Sequence, residues 1–331
     1  MPNPVYGDIH VDAMMTNISI AYIQQPSAFV HNSIFPNVPV KKQSDRYFVY
    51  LKEDWFRDEA TVRVYGEESA GGGYEIDNTP NYFCKIYAYH KDVFATDRAN
   101  ADKPLDPDID ATEFVTQKLM LRREIDFVTR FFATGVWGTE YTGASASDTG
   151  TARKYWSSEN STPIEDIGLA KLAVAAVTGY VPNVLLLGSY THYHLTQHAD
   201  FKELVKYGGS NNAPAIVSTK AIAEILGLEK VVVGTAVKNS AAKGATESTD
   251  FILGKHALLA YAAPSAGLKK PTAGYVFSWS GLEGAQAFGN RIYKFPMDNL
   301  GLGTQRIEGE MAYDCELVAS DLGVFFNGIV E

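Results

Sequence analysis

Cysteine is nearly missing from this 331-residue sequence, there is no excess of basic residues, and nowhere is there a long apolar run. Cys84 and Cys315 sit in alternating apolar stretches with no CxxC or Cys/His spacing around them, which excludes a zinc ribbon and leaves two buried thiols as the reading. Lys plus Arg number 29 against 39 Asp plus Glu, and a net charge of -10 repels phosphate, so a dedicated nucleic-acid grip is excluded. No stretch approaches the roughly 20 apolar residues that span a bilayer, and Met-Pro-Asn-Pro-Val lacks the basic and apolar regions of a secretion signal. Catalytic signatures are missing too. There is no HExxH and no GxSxG, and Gly254-Lys255-His256 lacks the upstream glycine and the hydroxyl of a phosphate loop. Gly301-Leu302-Gly303 opens like a dinucleotide loop, but Arg306 stands where the last glycine belongs, so a turn is expected.

What is present is an ordinary folded composition, 46% hydrophobic and 21% charged, which rules out disorder along most of the chain. Residues 1–45 carry no helix or strand pattern of any length, yet hold Ile18, Ile20, Tyr22, Phe29, Ile34, Phe35 and Val38 among five prolines. Proline favours extended backbone while the apolar residues still require burial, so an arm lying along a surface, its own or a neighbour's, is expected. Arg46–Leu51 and Tyr82–His90 are β-branched or aromatic with partial alternation and read as two strands. The polar excursion between them, with a short strand at Thr61–Tyr65 and the run Gly71-Gly72-Gly73, is too long for a compact turn and is expected to project.

A long helix is expected from Asp110, boxed by Glu113, to Thr134, where Gly135 closes it. Its apolar stripe is Phe114, Leu121, Ile125, Val128 and Phe132, and its length of about 36 Å suits a spine. A second helix opens at Thr162-Pro163-Ile164-Glu165 and runs to Gly179. An α/β section follows: a buried strand at Val184–Leu187, a helix through His194 to Gly208, a helix from Ser218 or Thr219 to Gly227, and a strand at Val231–Val233. Strands return at Phe251–Leu253, Gly274–Trp279, Arg291–Phe295 and Ala312–Val318, with a last apolar run at Gly323–Val330. His194 and His198 stand at i, i+4 with His192 nearby, a spacing that can hold a metal from one helix face, but no glutamate base lies between them and a solvated face is the simpler reading.

The order of these elements resembles the major capsid proteins of tailed bacteriophages, the fold named after the Hong Kong phage 97 coat protein. The stretches most similar are Asp45-Arg-Tyr-Phe-Val-Tyr, Leu119-Met-Leu-Arg-Arg-Glu-Ile-Asp126, and Pro182-Asn-Val-Leu-Leu-Leu-Gly188 followed by a helix. The resemblance implies an α+β Hong Kong 97-like fold with an arm at 1–45, an extended β-hairpin loop at 46–95, a peripheral domain at 96–180 and 271–331, and an axial α/β domain at 181–270. It implies a structural protein, not an enzyme, with no cofactor, which self-assembles as pentamers and hexamers into an icosahedral head around double-stranded DNA. Trp55, Phe56, Arg57, Arg63, Tyr65, Glu67, Glu68, Phe29 and Phe35 are the expected contacts between subunits. Implied partners are other copies, a portal, a decoration or cement protein and a scaffolding protein, the last a separate chain because the arm starts almost at Met1. The location implied is the virion, assembled in the host bacterial cytoplasm, with no membrane. Lys–Asn cross-links known in some relatives have no partner geometry here for Lys52 or any other lysine. Two other classes fit parts of the pattern: a soluble α/β enzyme binding a nucleotide near Gly188, and a self-assembling phage tail or head-decoration protein.

Overall fold

The computed structural model describes residues 23–101, 105–145, 149–208, 217–267, 269–281 and 289–331. After the arm come β1 (Asn37–Val40), β2 (Ser44–Arg46), β3 (Val49–Tyr50), the single turn α1 (Lys52–Trp55), β4 (Ile76–Asp77), β5 (Asn81–Phe83) and β6 (Lys85–Val93). Next are α2 (Ala95–Asn100), α3 (Pro107–Phe131), β7 (Thr139–Ala144), β8 (Ala152–Lys154) and α4 (Pro163–Thr178). The middle holds β9 (Val184–Gly188), α5 (Ser189–Gln197), α6 (Ala199–Gly208), α7 (Thr219–Leu226), β10 (Lys230–Gly234), β11 (Val237–Asn239), β12 (Thr249–Phe251) and β13 (Ala257–Ala260). Last are β14 (Gly274–Trp279), β15 (Asn290–Pro296), β16 (Gln305–Leu317) and β17 (Gly323–Asn327).

Two sheets organise these elements. In the first, β16 is the axis: it pairs antiparallel with β6, β15 and β14 along its length, and β1 adds in parallel beyond β14. The second runs β10-β9-β13-β17-β7-β8. Its central strands β9, β13 and most of β17 are buried on both faces, which is why they read as continuous apolar runs without alternation. Helices α4, α5, α6 and α7 cover one face through Ile167, Leu195, Phe201 and Ile222. The end of α3 covers the other with Phe127, Phe131 and Phe132. The sheets do not divide at residues 181 and 271: β7, β8, α4 and β17, expected in the peripheral part, belong with β9, β10 and β13. The joining strands are far apart in sequence, so their pairing leaves no local trace.

The spine helix is displaced from its expected frame. It is capped by Asp106, whose carboxylate accepts from the backbone N–H of Asp108 and Ile109, with Pro107 at the first helical position. The helix therefore starts before Asp110 and ends at Phe131, not Thr134. Its buried positions are Ala111, Val115, Leu119, Arg123, Glu124, Phe127 and Phe131, while Phe114 is 44% exposed and Leu121, Ile125 and Val128 are only partly covered. Two buried charges hide this face from an apolar-stripe reading. Elsewhere the expected helix to Gly208 is broken at His198 into α5 and α6, Thr162 makes no side-chain cap, and Thr61–Tyr65 is not a strand. Arg46–Leu51 and Tyr82–His90 are each divided, the second at Cys84. Gly179 and Gly227 end α4 and α7 in the left-handed region, as expected.

Glu124 holds the arm. One carboxylate oxygen accepts from the backbone N–H of Val30 and of His31, both at 3.0 Å, and from His31 Nδ1 at 2.8 Å. Arg123 lies 5.0 Å over the Tyr313 ring, and Phe35 packs against Phe131 at 4.7 Å. The arm is thus seated on its own spine helix, and β1 carries it on into the first sheet. Replacing Glu124 by Ala leaves three donors buried without an acceptor and should cost about 3 kcal/mol in urea denaturation, with the arm the first point of proteolytic cleavage.

Burial holds His31, His192 and His256 below their ordinary value of 6.5, and in His31 Arg123 adds to this while the bond to Glu124 opposes it. As pH falls through 6.5 the unfolded chain takes protons that the folded chain refuses, so stability is lost. Glu316 acts in the opposite sense: burial and neighbouring Asp314 raise it, so its protonation in the folded state offsets part of that loss. Asp92 and Asp108, lowered chiefly by Arg306 and Arg98, matter only as pH falls through 3.8 and below. The urea midpoint should therefore drop between pH 7.5 and 5.5; a flat profile over that range would mean these histidines are not closed to protons.

Candidate self-assembly surface

The segment from Ser44 to Phe83 is a hairpin that narrows toward its tip. Its base is the antiparallel pair β2–β5, in register from Ser44 opposite Phe83 to Arg46 opposite Asn81. A second short pair, β3–β4, sets Val49 opposite Asp77 and Tyr50 opposite Ile76. Beyond these, residues 56–73 lie in no helix or strand. Three rings close the stem: Tyr50 lies 6.1 Å from Trp55 and 5.8 Å from Tyr74, and Trp55 and Tyr74 are 5.7 Å apart. Lys269 places its ammonium 5.3 Å from the Tyr50 ring and 5.9 Å from that of Trp55, and Lys52 pairs with Asp321. The stem is therefore clasped to the body by two cation contacts while the tip stays clear of it.

That tip carries most of the expected contact residues, and they are open. Phe56 is 60% exposed, Val62 and Tyr65 are almost wholly so, and Trp55 keeps half of its surface free despite the clasp. Arg57 reaches Glu59 at 3.4 Å, Arg63 donates to the Glu67 carbonyl at 2.9 Å, and Glu67 and Glu68 are exposed. Phe29 and Phe35 are a correction. At 4% and 3% exposure they are part of this chain's own core, packed on α3 and against Ala236 and Ile252, and are not available to a neighbour. The sequence reading also passed over Phe48, Leu51, Tyr74 and Ile76, which are exposed on the same hairpin. The partial alternation of Arg46–Leu51 suggested a half-buried strand, but the short β3–β4 ladder leaves Phe48, Leu51 and Ile76 exposed.

The chemistry-bearing candidates resolve into packing. His198 lies at the break between α5 and α6, 3.1 Å from the Ser161 hydroxyl and 3.6 Å from an Asp200 carboxylate oxygen, an outline of a Ser-His-Asp set. The protons run the wrong way for a nucleophile. The Asp200 N–H donates to His198 Nδ1, which leaves Nε2 as the donor to Ser161, and the Ser161 hydroxyl donates to the Ser158 carbonyl at 2.6 Å. His192 and His194 do not join His198 on one face, and among the described residues no group of three or more His, Cys, Asp or Glu is placed to hold a metal. A Cβ on Gly188 would lie 2.0 Å from the Gly254 carbonyl, so that glycine serves the approach of two chain segments. Gly301 and Gly303 form a turn closed by the Thr304 N–H on the Gly301 carbonyl. Burial pushes the Cys84 and Cys315 thiols up to about 12, well away from a reactive thiolate. Among the described residues no helix is long and apolar enough to cross a membrane.

No family model matches the sequence. The chain is 28% identical over 324 residues, 97% of its own length and 97% of the relative's, to the major capsid protein of Pseudomonas phage JBD67. The capsid structure of cyanophage P-SCSP1u superposes with a TM-score of 0.61 at 10% identity, over 97% of this chain and 93% of that one. A phage-related protein from Bordetella bronchiseptica RB50 superposes with a TM-score of 0.65 at 20% identity, over 92% of this chain and 94% of that one. At such identities the structural likeness is one of fold: the chain has the α+β Hong Kong 97-like fold of phage capsids, as expected.

Proposed function

We propose that this chain is the major structural subunit of a tailed-bacteriophage head. It self-assembles as pentamers and hexamers into an icosahedral shell that encloses double-stranded DNA. The observation that carries this reading is likeness from end to end: a curated major capsid protein matches over nearly its whole length, on a chain whose architecture is that of capsid subunits. The surface agrees with it. A hairpin tip with Phe56, Val62 and Tyr65 in water has no purpose inside one subunit and is stabilised only when another copy covers it.

In the shell the tip lies over a neighbouring subunit. Its aromatic residues supply the buried area, at roughly 25 cal/mol per Å², while Arg57, Arg63, Glu67 and Glu68 fix orientation at the rim. Because residues 56–73 carry no ladder, the contact can adapt to the slightly different angles of five-fold and six-fold settings. The net charge of -10 suits a wall that encloses DNA without reading it. A scaffolding protein, a portal and a decoration or cement protein complete the head, which is built in the host bacterial cytoplasm and persists in the virion; the reading calls for no catalysis and no cofactor.

Replacing residues 56–73 by a short Gly/Ser link should leave the melting temperature of the free subunit within about 2 °C, because those residues hold no core position. It should abolish closed particles in negative-stain images under conditions where the wild-type chain forms them. Normal shells from the shortened chain would remove the hairpin from the proposed interface.

A further inference from the structure

We infer that the outer face of α4, with the groove between α4 and α7, is the seat of a second copy of this chain, separate from the hairpin contact. The inference rests on the shell reading above and adds to it the place of a second interface.

A surface helix on a folded domain ordinarily has one apolar stripe and one polar face. Helix α4 does not. Ile167, Ala170 and Val174 face the second sheet, yet on the opposite side Leu169, Leu172 and Val177 are exposed, continued by Tyr180 and Val181 beyond its end. A groove of about 410 Å³ lies beside this face, lined by Gly168, Leu172, Ala175, Val181, Ile225 and Leu226. Its one charged lining group, Lys171, is already bound to the carbonyls of Leu226 and Gly227, where it caps α7. A small polar ligand would find no free anchor here, so an apolar partner surface is the fitting occupant.

Two observations point to another copy as that partner. On a chain of net charge -10, like copies repel over most of their surface, but from Ile167 to Val181 the only charged residue is the bound Lys171. Copies can therefore approach along this stripe without opposed charges. The second observation is Gly168. It stands in the helix interior, where glycine is unfavourable, and a Cβ there would meet nothing within 4 Å among the described residues beyond its own helix. Nothing among the described residues requires a missing side chain at that point. A partner lying close against the helix does. Five exposed apolar residues make a small patch beside the about 800 Å² per partner that a stable pair buries, which suits a repeated head-to-tail ring contact better than an isolated dimer.

Gly168→Ala separates folding from assembly, because it should move them in opposite directions. The free subunit should melt at a higher temperature, through improved helix propensity. Its ring or shell formation, followed by sedimentation velocity and electron microscopy, should need at least tenfold more protein. Leu172→Asp should give the same loss of assembly, and in Leu172→Cys a maleimide should label the free subunit at least tenfold faster than the assembled one. Wild-type assembly by Gly168→Ala and Leu172→Asp, or equal labelling of the Leu172→Cys variant in both states, would overturn this inference while leaving the shell reading standing. A wild-type chain that never associates, with or without scaffold, would defeat both.

Discussion

The last turns of α3 are where the whole subunit is joined. Phe127, Phe131 and Phe132 touch the arm through Phe35, share one core cluster with Met311, Tyr313 and Cys315 of the first sheet, and meet Phe325 of the second. One helix end thus supplies the hydrophobic contact among three parts of the chain that are far apart in sequence. This explains why so many aromatic residues are gathered there: large rings can bridge layers that smaller side chains would leave separated. Glu124, one turn earlier, adds the directional component by fixing the backbone of Val30 and His31 against the same helix. A subunit braced along one rod can bear load from its neighbours without each sheet having to resist alone.

What the core satisfies, the periphery leaves open. The hairpin from Ser44 to Phe83 has only two short ladders; its base is seated by Tyr82 and Tyr47 on Phe277, but beyond that base Phe48, Phe56, Val62 and Tyr65 face water. Past Glu165 in its first turn, the outer side of α4 is apolar as well. In a monomer both would be liabilities. In the shell proposed above they serve as two kinds of contact: a long adaptable reach and a smooth lateral face. The two differ in ordering cost, since the hairpin must lose freedom when it docks while a helix is already rigid.

Much of the fold was legible because it is written locally. Gly274–Trp279 was placed to the residue, α7 and its Gly227 terminus were marked by a capping serine and a glycine, and the hairpin followed from two aromatic runs around a polar excursion. The errors share a cause in residues that act against type. Arg123 and Glu124 are buried, so the stripe built from apolar residues alone settled on Phe114, Leu121 and Ile125, out of phase with the buried face. Asp106 before Pro107 was the real helix start, overshadowed by a box-like Asp110 and Glu113 that does not form. β1 carries a proline and escaped notice because it adds at the border of a sheet, where a missing donor is tolerated. Sheet membership was out of reach, since β17 and β7 are joined by pairing across nearly two hundred residues.

The exposed apolar surface was half legible for a related reason. Trp55, Phe56 and Tyr65 are conspicuous because they stand in polar company, where an apolar side chain has no obvious shelter. Phe29 and Phe35 stood in equally irregular sequence and turned out to be sheltered by α3, so irregular context does not by itself distinguish an arm seated on its own chain from one meant for another. The α4 face gave the opposite difficulty. Its apolar residues fit any buried helix, and only the structure separates those that meet the sheet from those that meet nothing. A sequence states which side chains must leave water. It does not state whether the surface that receives them belongs to the same chain, and under the shell reading proposed above that second fact decides which residues carry the function.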